Sequence, residues 1–452
     1  MAQIRPLNGF RDFPPEQFAE RAHIFGTWRR VAARYGFVEY DGPPLEPLEL
    51  YTRKSGEEIV GQLYNFVDKG GRDVALRPEM TPTVARMVAE KARTLRIPVR
   101  WFSIPQLFRY ERAQRGRLRE HFQLNADLFG EAGTAADAEI VALVIDILRE
   151  FGLTSDDVRV RLSDRRLLNA ILAALGHPAA RVPAIYAVLD KLERTPAEAT
   201  REKLGEAGCT PAQTDALLAL VADTAARGAD ALRPLLADGE GAERLAALEE
   251  TLAQVQALIG TDVSPWVRVD LTIVRGLAYY TGLVFEVFDT KGELRAVAGG
   301  GRYDDLLRAL GGVEMPAIGF GWGDVVLGEL LRDRGLLPRD VAQLDWWVIA
   351  EGDVSPTTLR EVVGVLRRQG DRVEYALRTQ KPQKQFEAAR KANARLVLTL
   401  RPDGSAHWSQ LIGGAQTGTI DGAALHDELT GRGPLDSALR TLLSDFRLPT
   451  TA

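Results

Sequence analysis

The stretch that most constrains the fold of this chain is residues 104–129, where two segments with strand-like alternation flank a basic loop around Gly116. Two such segments in so short a span pair as antiparallel strands, predicted over 104–110 and 122–129. Side chains on a strand point alternately to its two faces. One face then gathers Arg109, Glu111, Gln123 and Asp127, while Phe108, Tyr110, Leu124 and Leu128 fall on the other. The apolar side joins a core and the polar side floors a pocket. An edge hairpin with its charged face in water shows the same pattern, so the hairpin alone does not decide function.

Length and composition bound the setting of that hairpin. At 452 residues, the chain is long enough for two or three domains, each with its own core. A formal net charge of -5 excludes a protein that coats nucleic acid by bulk charge, while leaving room for a local basic patch. The single cysteine, Cys209, excludes an intrachain disulfide framework and a cysteine-cluster zinc site, which fits a reducing cytoplasm. It falls in a helical, polar stretch with no histidine beside it in sequence. Five histidines without H-E-x-x-H spacing argue against a metal hydrolase. No run reaches the roughly eighteen apolar residues of a membrane helix, and residues 1–14 lack the apolar core of a secretory signal. The expectation is a cytoplasmic protein without a membrane partner.

Taken in order, residues 9–15 are a turn-rich lead into a helix over 16–35, striped by Phe18, Ala22, Phe25, Trp28, Val31 and Ala32 and stopped at Gly36. A strand broken by Gly42, Pro43 and Pro44 follows. Residues 64–81 give a strand pair and then a helix from Pro82, with Thr81 at its N-cap and Glu79 a loop carboxylate near the helix start. Ala136, Ile140, Leu143, Val144, Ile147 and Leu148 mark an amphipathic helix over 134–151. Residues 165–261 turn to Ala, Leu, Glu and Arg with short glycine turns, a helical insertion in which His177 beside Pro178 is structural. Strands resume at Trp266. The glycine run in 294–304 is no Walker loop, because no G-K-[ST] follows, and 315–330 reads as a strand running into a helix. From residue 343 a β-α-β pattern sets out a separate α/β domain with a parallel or mixed sheet. Basic residues gather in it, from Arg360, Arg367 and Arg368 to Arg390, Lys391, Arg395 and Arg401, which suits a phosphate backbone. A tail helix is expected over 435–448.

Several strings together resemble one family. Residues 108–112 (FRYER), 115–120 (RGRLRE) and 123–130 (QLNADLFG) resemble motif 2 of class II aminoacyl-tRNA synthetases in the form found in histidyl-tRNA synthetases. The L-R-P-E-M-T of 76–81, the R-G-L-A-Y-Y-T-G of 275–282 and the A-G-G-G-R-Y-D of 298–304 are similar to that family's other signatures. The helix and proline-ended strand near the start look like motif 1, which in this class builds a dimer interface.

The resemblance implies an α+β fold, with a class II antiparallel-sheet catalytic domain over 1–164 and 262–335. It also implies a helical insertion over 165–261 that reaches toward the tRNA acceptor arm, and a C-terminal α/β anticodon-binding-like domain over 343–452. The implied activity is ATP-dependent ligation of L-histidine to tRNA(His) through a histidyl-adenylate. ATP is a substrate, Mg²⁺ is expected, no zinc is required, and the chain forms a homodimer. Arg109 and Arg275 would grip the α-phosphate, a task suited to planar guanidinium groups. Glu79, taking the α-ammonium, would hold the histidine with Thr81, Gln123, Asp127, Tyr280 and Tyr303. The nucleotide would meet Arg109, Glu111, Arg117, Arg275 and Glu286, with either His121 or Phe122 stacking on adenine.

The chain departs from the family pattern in three places. Ala278 stands where Asp is commoner, and His121-Phe122 inverts the usual order. Val325 and Val326 occupy the motif 3 positions where the class usually places Glu-Arg. Paralogues of this fold act as histidine-sensing regulatory subunits of ATP phosphoribosyltransferase, the alternative function, and the altered motif 3 and Ala278 lean that way. Intact Arg109 and Arg275 and the basic C-terminal domain lean toward the ligase.

Overall fold

A computed structural model of the chain describes residues 4–55, 57–274, 279–338, 344–412 and 416–421. Arg275, Ala278 and the tail helix expected over 435–448 lie outside the described residues. The chain divides into two compact units, Met1–Leu337 and Pro338–Ala452.

The first unit is built on a nine-stranded sheet. Its strands in chain order are β1 (Val38–Glu39), β2 (Val99–Ser103), β3 (Gln106–Phe108), β4 (Glu120–Phe129), β5 (Val158–Asp164), β6 (Val267–Val269), β7 (Leu283–Asp289), β8 (Ala298–Arg302) and β9 (Ala317–Gly323). β2, β4, β9, β8, β7 and β5 lie side by side in that order, each neighbouring pair antiparallel. β1 and β6 extend the two edges in parallel, and β3 pairs with the start of β4.

The hairpin expected over 104–129 forms with one correction. Its first arm is two strands rather than one, because Pro105 has no N–H to give the ladder. β2 pairs with the far end of β4, while β3 pairs with its near end. Arg109 and Glu111 therefore lie beyond the strand, in the loop, and only β4 supplies an alternating polar face. Tyr110 is also not a core residue. It is half exposed, packed edge-on to Tyr64 and beneath the Arg119 guanidinium, 4.6 Å from the ring centre.

Leu124, Ala126 and Leu128 of β4 bury against helices Pro15–Arg34, Thr134–Glu150 and Asp324–Asp333 on one face of the sheet. Each fully buried Leu, Ile or Val there contributes about 1.5–3 kcal/mol. The stripe expected on Thr134–Glu150 is in fact buried nearly all round, from Ala136 to Leu148. The reason is tertiary: helix Gly239–Ile259, from the helical stretch, packs on it through the same core. Among the described residues, 165–261 hold helices and no strand. Leu204, Leu217 and Val255 share one apolar cluster with Val160 and Leu162 of β5, so that stretch has no separate core. On the opposite face of the sheet, helices Thr81–Lys91 and Leu306–Gly311 pack Val84, Val88 and Leu307 over Phe129 and Val284.

Among its described residues the second unit holds a five-stranded mixed sheet. Val373–Tyr375, Leu344–Ala350 and Ala394–Leu400 run parallel, and Ala406–Gln410 and Thr417–Ile420 add an antiparallel edge that the sequence pattern did not reveal. Helix Pro356–Arg368, capped by the Ser355 hydroxyl accepting from Thr358 N at 3.0 Å, covers one face through Val362, Val363 and Leu366. Helix Pro382–Lys391 covers the other through Phe386 and Ala389. Arg360, Arg368, Arg378, Lys381, Lys384, Arg390 and Lys391 are exposed. Arg372 is held by Asp345 at 3.0 Å and Arg401 faces Glu351 at 3.8 Å.

Candidate active site

A polar cavity of about 200 Å³ lies over β4, β8 and β9. Gln123, Asn125 and Asp127 face it from β4, and each stands opposite a glycine of β9: Gly323, Gly321 and Gly319. The glycines are required by space. A Cβ on Gly319 would lie 2.1 Å from Asp127 Oδ1, and one on Gly321 would lie 2.5 Å from Gln123 Nε2. Phe320 and Trp322, between them, turn to the core. Sequence reasoning missed Asn125, although it shares strand parity with Gln123 and Asp127. Gln123 donates to Asn125 Oδ1 at 2.7 Å.

Asp127 is the cavity's buried carboxyl, 3% exposed. Burial pushes its pKa up to about 7, against the hydrogen bond it accepts on Oδ1 from the Tyr303 hydroxyl. Its other oxygen, Oδ2, is buried and has no hydrogen-bond partner among the described residues. An orphan carboxylate oxygen beside a polar cavity calls for a ligand donor. Arg302, the residue before Tyr303, is fully buried. Arg302 donates Nε to Asp137 Oδ1 at 2.9 Å, Nη1 to Glu131 O at 2.9 Å and Asp304 Oδ1 at 3.2 Å, and Nη2 to Gly133 O at 3.1 Å. Tyr279 and Tyr280 also line the cavity, their ring centres 4.8 Å apart.

Glu79, Thr81 and Arg109 line the cavity as well. Thr81 does not cap the helix as expected. The helix begins at Thr81 itself, after Met80, and no side chain caps its first turn. Arg109 donates Nε to Pro78 O at 3.0 Å. Glu111 is not brought to the cavity; it pairs with Arg117 inside the loop. That loop closes as a tight turn in which Gln114 and Arg117 exchange backbone hydrogen bonds of 2.9 Å, with Gly116 at φ 71°. Glu286 sits on β7 opposite Gly299, a cavity residue, but is not itself part of the lining.

Strand parity separates His121 from Phe122. His121 lies on the cavity side, its Nε2 3.3 Å from Gln123 Oε1. Burial, then the nearby Arg109, lower its pKa to about 3, so its ring is neutral at physiological pH. Phe122 points to the opposite face, packed edge-on to Phe25 at 5.2 Å and under Arg21 at 4.8 Å. Of the two residues open for stacking on adenine, His121 is thus the one on the cavity side of β4.

The motif 3 region opens helix Asp324–Asp333. Asp324 is buried, and its Oδ1 accepts from Phe122 N at 2.9 Å. It pairs with Arg11 at 3.0 Å, and Arg11 reaches Glu120 at 2.7 Å. Burial raises the Asp324 pKa, with Arg11 opposing. Cys209 has no histidine beside it in sequence, but folding brings His177 Nδ1 to 3.8 Å from its Sγ. Burial raises the thiol's pKa and lowers that of the histidine, which disfavours a reactive thiolate. No group of three or more His, Cys, Asp or Glu that could hold a metal ion occurs among the described residues, and none of their helices is long and apolar enough to cross a membrane.

An antiparallel sheet, backed by helices on one face and carrying an arginine-edged polar cavity on the other, defines an α+β fold of the class II synthetase type. Comparison with known proteins takes this further. The family model for histidyl-tRNA synthetase matches residues 9–323. A histidine–tRNA ligase of Opitutus terrae is 48% identical over 407 residues, covering 89% of this chain and 92% of that protein. The chloroplastic/mitochondrial histidine–tRNA ligase of Arabidopsis thaliana is 39% identical over 417 residues, covering 91% and 84%. The crystal structure of histidyl-tRNA synthetase from Nostoc superposes with a TM-score of 0.79 at 24% identity, covering 96% of this chain and all of that one, a likeness of fold. The chain belongs to the histidyl-tRNA synthetase family.

Proposed function

We propose that this chain ligates L-histidine to tRNA(His) in two steps. A histidine carboxylate oxygen attacks the α-phosphorus of ATP, and the bond to pyrophosphate breaks, leaving histidyl-adenylate. A terminal ribose hydroxyl of the tRNA then attacks the acyl carbon, and AMP leaves. No protein nucleophile is needed, so catalysis is by positioning and by stabilising charge. Mg²⁺ enters with ATP as part of the substrate, bound chiefly by phosphates and water.

The observation that carries this reading is Asp127 Oδ2, a buried acceptor lacking a partner beside a small polar cavity. An imidazole N–H supplies the missing donor, with Tyr303 holding Asp127 in place. Glu79 takes the substrate ammonium, with Thr81, Gln123 and Tyr280 around it. Arg109 takes the α-phosphate together with Arg275. His121, neutral and on the cavity side, offers its ring to adenine, while Arg117 and Glu286 attend the nucleotide. The exposed Val38, Leu45, Phe66 and Val67, gathered early in the chain, support a homodimer. The basic exposed residues of the second unit support anticodon-side tRNA contact. Charging of tRNA for protein synthesis puts the protein in the cytoplasm on this reading. The regulatory-subunit alternative is not favoured, because relatives named as ligases match 89% and 91% of the chain.

Histidine-dependent exchange of pyrophosphate into ATP tests the reading. Exchange with histidine and no other amino acid, lost in Arg275→Ala, is expected. Histidine binding without exchange would return the regulatory subunit to first place.

A further inference from the structure

The first turn of helix Asp324–Asp333 brings no cation to the site: Asp324 is tied to Arg11, and Val325 and Val326 follow. A triphosphate with its charges at this end of the cavity still needs positive partners beyond Arg109. The hairpin between β7 and β8 supplies one. Its Ala296 and Val297 line the cavity, and Arg295, the residue before them, is exposed and without an ion pair among the described residues. A Cβ on Gly116, at the tip of the motif 2 loop, would lie 3.4 Å from Val326 Cγ2 and 3.9 Å from Arg295 Cδ. The Arg295 stem and Val326 thus meet the same loop residue, one position before Arg117. After desolvation, the nearby positive charges of Arg295 and Arg109 lower the Arg117 pKa, while Arg117 pairs with the carboxylate of Glu111.

We propose that Arg295 binds the β- and γ-phosphates of ATP, as the third member of a clamp with Arg109 and Arg117, and so provides the positive charge that helix Asp324–Asp333 does not. This rests on the reading of the cavity as an ATP site. Arg295 is a nucleotide-binding residue on a hairpin separate from the loop that carries the other two arginines. A planar guanidinium reached from that side can meet terminal phosphate oxygens with two parallel N–H donors.

The test is titration of the full-length protein with ATP and, separately, with AMP, for wild type, Arg295→Ala and Arg295→Lys. Losing charge-assisted bonds to the terminal phosphates predicts ATP binding weaker by about ten- to a hundredfold in Arg295→Ala. AMP binding stays within about twofold of wild type, because AMP lacks the phosphates concerned. Lysine restores part of the ATP affinity, as a charge without the fork. The exchange assay should show KM for ATP raised and KM for histidine unmoved. ATP affinity unchanged in Arg295→Ala, or ATP and AMP weakened together, overturns the proposal. A wild-type protein that binds neither nucleotide overturns the underlying reading instead, and melting curves of the variants matching wild type exclude misfolding as the cause.

Discussion

Replacing Asp127 with asparagine tests the energetics of the cavity. The asparagine side chain keeps the carboxyl's shape, and its Oδ1 still accepts from the Tyr303 hydroxyl, but it cannot ionise. Burial takes the Asp127 pKa from its ordinary 3.8 to about 7. Between those values the folded protein holds a proton that the unfolded chain has lost. Wild-type stability therefore falls as pH rises from about 4 through about 7, and the loss is complete above that. At about 1.36 kcal/mol per pH unit the full effect is a little over 4 kcal/mol, of which about 2–3 kcal/mol develops between pH 5 and 8. The variant is free of this slope, though its new amide N–H₂ sits where Oδ2 lacked a partner, at a roughly constant cost of about 1–3 kcal/mol. The diagnostic is thus the slope and not the sign. Denaturant midpoints of both proteins at half-unit steps from pH 5 to 8.5 should show the difference moving toward the variant by a few kcal/mol, while histidine binding is lost. A difference that stays flat across that range would refute the reasoning.

Three further outcomes follow from the same geometry. Gly319→Ala forces a Cβ to within 2.1 Å of Asp127 Oδ1, so the carboxyl must move; KM for histidine in pyrophosphate exchange should rise more than KM for ATP. Arg302→Met removes the partner of buried Asp137 and of two backbone carbonyls, and breaking such a buried pair should cost about 3–5 kcal/mol in urea denaturation. Arg109→Ala removes a fixed cation aimed at developing charge and should lower the exchange rate constant by about a hundred- to a thousandfold, read as kcat at saturating ATP and histidine.

The polar face of β4 was legible because strand alternation is a strict period: Gln123 and Asp127 were found, and Asn125 was available by the same rule. The glycines of β9 were legible only as a strand, since their role is to leave space for side chains of another strand nearly two hundred residues away. Strand alternation and the motif both put Arg109 at the pocket, but it reaches the cavity from the loop after β3 and not from a strand face. His121 and Phe122 were inseparable in sequence and are separated at once by which face of β4 each occupies. The all-round burial of Thr134–Glu150 was hidden because helix Gly239–Ile259, its cover, lies about a hundred residues downstream. Cys209 and His177 likewise meet only through the packing of distant turns. Local pattern therefore located the elements, and long-range register decided what each side chain faces.

The central claim is that this cavity activates histidine for transfer to tRNA. The most direct measurement is the charging of tRNA(His) with labelled histidine by the purified full-length protein, with and without ATP and beside a second tRNA. The account predicts label on tRNA(His) that requires ATP and is absent with the second tRNA. A folded protein that binds histidine and ATP yet leaves tRNA(His) uncharged would contradict it.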